Sequence, residues 1–155
     1  MENTTLCYLE KDGKYLMLHR TKKENDLNEG KWIGVGGHFE KDESPEECAR
    51  REIYEETGLH SGILRFRGVV TFLSDKWATE YMFLFTGGNF EGELVPCNEG
   101  ELCWVDKDKV LGLPTWEGDK FFLKPLSADE DCFLMTLKYE GDRLVFAEKN
   151  GVPLL

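Results

Sequence analysis

Residues 37–59, which read GHFEKDESPEECARREIYEETGL, give the strongest indication of the fold in this sequence. Ser44 is a typical helix N-cap, Pro45 suits the first helical position, and Glu47 completes a capping box with Ser44. Gly58 stands where a residue in the left-handed conformation commonly ends a helix. These signals predict an α-helix that runs from Pro45 to the residue before Gly58.

Carboxylates are unusually dense in this stretch, which contains eight acidic and three basic residues and has a local charge of −5. On a helix, Glu52, Glu55 and Glu56 fall on one face, where like charges cost stability. One interpretation is a solvated acidic face that is balanced by pairs of Arg51 with Glu47 and Glu55. The other is a site for a hard divalent cation, which takes oxygen ligands together with substrate phosphates.

A glycine-rich segment, Trp32-Ile33-Gly34-Val35-Gly36-Gly37, precedes the predicted helix. Its glycines imply a tight backbone turn or the close approach of another group. A backbone carbonyl from this loop could supply a further oxygen ligand to a cation held by the helix. One carboxylate would then remain as general base for an attacking water.

The rest of the chain predicts a mixed sheet around this helix. An Asp12-Gly13 turn between two β-rich runs is typical of a hairpin, and the polar stretch from Arg20 to Lys31 predicts a surface loop. Further predicted elements are strands over Ile63–Leu73, Glu80–Thr86 (ended by Gly87-Gly88) and Leu102–Val105, a second helix over Trp116–Lys124, and a hairpin of Phe133–Tyr139 with Leu144–Ala147. This pattern predicts an α/β sandwich with about two helices, in one domain over residues 1–155.

The spacing within residues 37–59 resembles the Nudix box. Gly37, Glu43 and the run REIYEETGL from Arg51 fit the pattern G-x5-E-x7-R-E-U-x-E-E-x-G-U, in which U is aliphatic. The resemblance implies an α/β/α sandwich that hydrolyses a nucleoside diphosphate linked to another group, with Mg²⁺ or Mn²⁺ as cofactor. The roles it implies are Glu52, Glu55, Glu56 and the carbonyl of Gly37 as metal ligands, one glutamate as base, Arg51 as the group that holds the glutamates, and Glu43, Glu40 and Gly58 as support for the loop and helix.

The flanking sequence resembles the MutT-type branch of that family, the 8-oxo-dGTP diphosphatases. The resemblance implies that Glu99 approaches the metal from a loop and that Trp116 and Asp119 contact the purine. An indole can stack on a base, and a carboxyl group can hydrogen-bond to a purine edge. Two positions depart from that branch, since Ile33 stands in place of an asparagine and Gly118 in place of the first of two aspartates.

The leading functional prediction is metal-dependent hydrolysis of an oxidised purine nucleoside triphosphate to the monophosphate and pyrophosphate. Arg20, at the end of the second predicted strand, is a further candidate contact for a phosphate or base. The alternatives are a Nudix pyrophosphatase for ADP-ribose, a nucleotide sugar or a dinucleoside polyphosphate, and a non-catalytic nucleotide-binding module that keeps the fold. The expected partner is a small nucleotide, and the expected assembly is a monomer or a homodimer.

Composition limits the other functional classes. The 155 residues carry a net charge of −11, which disfavours a binder of nucleic acid polymers. No apolar run is long enough for a membrane span and the polar start lacks a signal-peptide pattern, so we expect a cytoplasmic protein. Five widely spaced cysteines without a CxxC pair indicate reduced thiols rather than disulfides or a zinc site.

Overall fold

The computed structural model describes residues 1–22 and 26–155. Its strands and α-helices follow one another as β1 (Glu2–Lys11), β2 (Lys14–Arg20), β3 (Trp32–Ile33), α1 (Pro45–Thr57), β4 (His60–Ser74), β5 (Glu80–Glu91), β6 (Gly100–Asp106), α2 (Asp119–Ser127), β7 (Phe133–Glu140), β8 (Arg143–Lys149) and β9 (Val152–Pro153). A short 3-10 helix, Val110–Gly112, precedes α2. Residues 23–25, which belong to the loop predicted after Arg20, lie outside the described residues.

The strands form a mixed sheet in the order β3-β2-β1-β5-β4-β7-β8-β9, and β6 pairs with β2. The pairs β1 with β5 and β4 with β7 are parallel, and the other pairs are antiparallel. The predicted hairpin between β1 and β2 is confirmed, with Glu10 opposite Tyr15. The pairing of β2 with β6 places Arg20, at the end of β2, opposite Gly100 at the start of β6.

The two helices belong to cores on opposite faces of β1, because successive strand residues point to opposite sides. Cys7 and Leu9 pack in one core with Ile53 of α1. Tyr8, which lies between them in sequence, packs in the other core with Phe122 of α2. The result is an α/β/α sandwich, which confirms the predicted fold class.

Helix α1 has the predicted boundaries, and its capping box is complete. The Ser44 hydroxyl accepts the Glu47 N–H at 3.1 Å, and the Glu47 carboxylate accepts the Ser44 N–H at 3.1 Å. Gly58 ends the helix with a φ of 79°, and its N–H donates to the carbonyl of Tyr54 at 2.8 Å. Of the two pairs in the acidic-face interpretation, that of Arg51 with Glu55 is present, whereas the Glu47 carboxylate binds the cap instead.

The predicted boundaries of β5 and α2 were wrong. Strand β5 continues through Gly87-Gly88 to Glu91, because both glycines pair with β4, and a Cβ on Gly87 would lie 2.7 Å from Ser61 Oγ. Helix α2 begins at Asp119 instead of Trp116. It continues past Lys124 to Ser127, where burial of Leu126 in the core fixes the last turn.

The five cysteines are free thiols, as the sequence predicted. Three of them, Cys7, Cys48 and Cys97, are buried, and the other two, Cys103 and Cys132, are exposed. Within residues 1–22 and 26–155, no helix has the length and apolar character needed to cross a membrane.

Gly68 lies at a register shift between β4 and β5, where β4 passes very close to β7. A Cβ on Gly68 would collide with the backbone carbonyl of Phe133. We expect Gly68→Ala to lower the free energy of unfolding by about 1–3 kcal/mol. Gly88→Ala is the matched control in β5, because open space surrounds its Cβ position, and it should change that free energy by less than about 0.5 kcal/mol. Urea unfolding measures both, and equal losses would contradict the close approach of β4 and β7.

Candidate active site

The glycine-rich loop runs beside β1 and brings its backbone against α1. The Thr5 N–H donates to the Gly37 carbonyl at 2.9 Å, which fixes the loop to the strand. A Cβ on Gly36 would collide with the Thr5 carbonyl, and a Cβ on Gly37 would lie 2.7 Å from the carboxyl carbon of Glu52. Glycine at position 36 therefore lets the loop backbone lie against β1, and Gly37 leaves space for the Glu52 carboxylate.

Glu56 is the most deeply placed of the three helix glutamates. Its side chain is 7% exposed, and its Oε2 accepts the Gly36 N–H at 2.9 Å. Burial raises the pKa of Glu56 well above its ordinary value, and the negative charges of Glu99 and Glu52 raise it further. Glu52 behaves similarly, since burial raises its pKa while Arg51 opposes the shift.

Arg51 connects the carboxylates of this region. Its Nε and Nη2 donate to the two oxygens of Glu43 at 2.6 and 2.9 Å, and its Nη1 donates to Glu52 at 2.7 Å and Glu55 at 3.1 Å. These hydrogen bonds lower the pKa of Glu43 to about 2. The Oε2 atom of exposed Glu40 lies 3.6 Å from Nε of Arg51. Arg51 therefore contacts four carboxylates, those of Glu40, Glu43, Glu52 and Glu55.

Glu99 reaches the same region from the segment that precedes β6. Its negative charge acts on the Glu56 carboxyl group and contributes to the raised pKa of Glu56. Glu99 Oε2 lies 3.0 Å from Nη1 of Arg20. The predicted loop glutamate therefore interacts with a helix glutamate, although more than forty positions separate them in sequence.

The chemistry of the donors fits a hard divalent cation, because carboxylate oxygens are the ligands that such an ion takes. In the described residues no three His, Cys, Asp or Glu side chains are grouped so that they could hold a metal ion, and Arg51 Nη1 donates to both Glu52 and Glu55. Glu52 and Glu56 are mutually repelling carboxylates with raised pKa values, and a cation would relieve that repulsion. The carbonyl of Gly37 accepts the Thr5 N–H, so the loop group that contacts a carboxylate here is the N–H of Gly36.

Trp116 and Asp119 lie together at the start of α2. Trp116 is half-buried, its Nε1 donates to Asn28 Oδ1 at 2.8 Å, and Lys31 Nζ lies 4.4 Å from its ring centroid. Asp119 is buried, and that burial raises its pKa to about 7, against the opposing effects of a hydrogen bond from the Trp116 backbone and the charge of Lys31. The tryptophan ring and a carboxyl group thus form one small cluster.

The position before Asp119 has no room for a side chain. The Tyr139 hydroxyl accepts the Gly118 N–H at 2.8 Å, and a Cβ on Gly118 would lie 2.7 Å from that oxygen and 2.8 Å from a methyl group of Leu137. Tyr139 also packs its ring edge against Trp116, with centroids 5.4 Å apart. The departure at Gly118 is therefore accompanied by a tyrosine that fills the space.

Several contact residues were missed by sequence reasoning. The glycine-rich loop indicated that a backbone group contacts the carboxylates, but the prediction named a carbonyl and not the Gly36 N–H. No sequence pattern indicated the contacts of Asn28, Lys31 and Tyr139, because single polar or aromatic residues in loops and strands carry no spacing pattern. Arg20 was expected to contact substrate, yet it is 8% exposed and its side chain is engaged by Asp26 and Glu99.

Comparison with known proteins finds relatives along nearly the whole chain. An uncharacterized Nudix hydrolase of Bacillus subtilis (strain 168), YvcI, is 32% identical over 149 residues, which cover 90% of each chain. The oxidized purine nucleoside triphosphate hydrolase of Danio rerio is 31% identical over 147 residues, covering 94% of this chain and 91% of the relative. The crystal structure of a MutT protein from Bacillus halodurans superposes with a TM-score of 0.88 at 28% identity, over 99% of this chain and 100% of that one.

The family model for the NUDIX domain matches residues 2–125, which include the glycine-rich loop, α1 and Glu99. The match leaves out β7, β8 and β9, which the structure adds to the same sheet. Together with the carboxylate site and the relatives just described, it shows that the chain belongs to the Nudix family and is a MutT-type Nudix hydrolase.

Proposed function

We propose that this protein hydrolyses oxidised purine nucleoside triphosphates, such as 8-oxo-dGTP, to the monophosphate and pyrophosphate. The observation that carries the proposal is the pair of contacts made by Arg20, whose Nη1 lies 3.0 Å from Glu99 Oε2 and whose Nε lies 2.7 Å from Asp26 Oδ2. These contacts join Glu99, whose charge raises the pKa of Glu56, to the segment that contacts Trp116. That segment begins at Asp26 and includes Asn28 and Lys31, both in contact with the Trp116 ring system. A phosphate-binding region and a candidate base-binding region are thus parts of one connected structure.

Nudix hydrolases generally need a divalent metal ion. Here Glu52, Glu55, Glu56, Glu99 and the Gly37 carbonyl would hold Mg²⁺ or Mn²⁺. The ion supplies charge stabilisation for the phosphates and lowers the pKa of a bound water. The chain contributes the positioning, because Arg51 holds two of these carboxylates and the Gly36 N–H holds a third.

Proton transfer falls to one of the buried carboxylates. A general base must lie within hydrogen-bonding reach of the attacking water, and Glu52 and Glu56 are the helix carboxylates that lie against the glycine-rich loop. Either residue can accept the proton of a water that attacks a bridging phosphorus. The bond from that phosphorus to the bridging oxygen then breaks, and the two products are the nucleoside monophosphate and pyrophosphate.

Recognition of the base falls to Trp116 and Asp119. The Trp116 ring can stack on a purine, and a carboxyl group whose pKa is about 7 can donate or accept a hydrogen bond near neutral pH. The names of relatives in Danio rerio and Mus musculus, both oxidized purine nucleoside triphosphate hydrolases, support an oxidised purine as the substrate. Ile33 and Gly118 carry no polar side-chain group, so Asp119 would discriminate between bases through its carboxyl group.

Steady-state hydrolysis with Mg²⁺ tests the proposal on 8-oxo-dGTP, dGTP, ADP-ribose and a nucleotide sugar. We expect the highest kcat/KM for 8-oxo-dGTP, with release of pyrophosphate. Glu56→Gln should lower kcat by about 10²-fold or more, because it removes a carboxylate that would hold the metal ion or accept the proton of the attacking water. Glu46→Gln, exposed on the same helix and paired with Arg50, is the control and should keep normal activity. Preference for ADP-ribose or the nucleotide sugar would overturn the substrate assignment.

The pH dependence of stability tests the environment of Asp119. The folded state holds the Asp119 proton up to about pH 7, whereas the usual pKa is 3.8, so the folded state binds more protons between these values. The free energy of unfolding should therefore fall from about pH 4 to about pH 7. Asp119→Asn should remove that part of the slope, by an amount on the order of a few kcal/mol. Exposed Asp108→Asn is the control, and urea unfolding in EDTA is the measurement. A slope that is the same in Asp119→Asn would contradict the buried carboxyl group.

A further inference from the structure

Glu99 lies in a short segment before β6, and such a segment needs anchoring if one of its side chains is to stay beside Glu56. The anchoring comes from the end of β2. The Lys22 N–H donates to the Glu99 carbonyl at 3.3 Å, and Lys22 Nζ donates to the Cys97 carbonyl at 3.1 Å. A Cβ on Gly100 would collide with the His19 carbonyl, so the two strands approach each other as closely as glycine permits.

Arg20 supplies the side-chain part of this anchor. It is the last residue of β2, and the register of β2 with β6 places it opposite Gly100, one position from Glu99. Its Nη1 lies 3.0 Å from Glu99 Oε2, and its Nε lies 2.7 Å from Asp26 Oδ2. With 8% of the residue exposed, the guanidinium is committed to two carboxylates and is largely removed from solvent.

We propose that Arg20 is a positioning residue that fixes the Glu99 carboxylate beside Glu56, and that it is not a contact for the nucleotide. The inference rests on the proposed function, in which Glu99 helps to hold the divalent ion. Its physical basis is charge compensation, because a half-buried Glu99 carboxylate beside Glu56 is repelled unless a cation opposes it. The planar guanidinium can hold Glu99 and Asp26 in fixed directions at once, which a lysine ammonium does less well.

A double-mutant cycle with Arg20→Gln, Glu99→Gln and the double variant tests this role. The first measurement is the Kd for Mn²⁺ alone, by electron paramagnetic resonance without nucleotide, and the second is kcat and KM for the preferred nucleotide. Arg20→Gln should weaken Mn²⁺ binding by about tenfold, as expected when the partner of a ligand is removed, and should lower kcat more than it raises KM. In the Glu99→Gln background the same substitution should change neither quantity further.

Controls keep the outcome interpretable. Arg65→Gln removes an exposed arginine that is also paired with an aspartate, Asp129, and should leave Mn²⁺ binding and hydrolysis unchanged. Arg20→Lys keeps the charge and supplies a second variant if Arg20→Gln does not fold; it should restore only part of the Mn²⁺ affinity.

Three results would overturn the inference. If Arg20→Gln raises KM with an unchanged Kd for Mn²⁺, and does so equally in the Glu99→Gln background, Arg20 binds the substrate. If Arg20→Gln and Arg20→Lys bind Mn²⁺ like the wild type, Arg20 does not position Glu99, although the proposed function stands. If the wild type neither binds Mn²⁺ nor hydrolyses nucleotides, the proposed function fails together with the inference.

Discussion

The arrangement of the site depends on repulsion among carboxylates and on the few groups that oppose it. Glu52, Glu56 and Glu99 lie close enough for their charges to raise the pKa values of the first two. Arg51 opposes that repulsion on the outer side of α1, where it holds Glu43, Glu52 and Glu55. Such crowding costs stability, so its presence on a helix with a complete cap indicates a functional constraint.

The sheet makes this crowding possible by fixing backbone segments on both sides of α1. Gly36 and Gly37 bring the loop between β1 and the helix, and the Gly36 N–H binds Glu56. The pairing of β2 with β6 brings Glu99 from the other side. The same β2 end continues into the segment that contacts Trp116, so one strand connects the carboxylate site with the candidate base site. The same part of the fold thus positions both the carboxylate site and the candidate base site.

The sequence predicted the parts of the structure that short-range signals specify. The boundaries of α1 were correct because Ser44, Glu47 and Gly58 are local caps, and the Nudix spacing identified Arg51 and its glutamates. The predicted ends of β5 and α2 were wrong, because tertiary packing of Gly87 and Leu126 determines where these elements end. The engagement of Arg20 by two carboxylates depends on the register of β2 with β6, which no local pattern encodes.

Thermal unfolding in the presence of Mg²⁺ shows whether the crowded carboxylates form a cation site. An ion that binds only the folded state raises the midpoint of unfolding as its concentration rises. We expect millimolar Mg²⁺ to raise the Tm of the wild type, and we expect Glu56→Gln to lose most of this increase. An unchanged Tm of the wild type over the same Mg²⁺ range would contradict a cation site at these carboxylates.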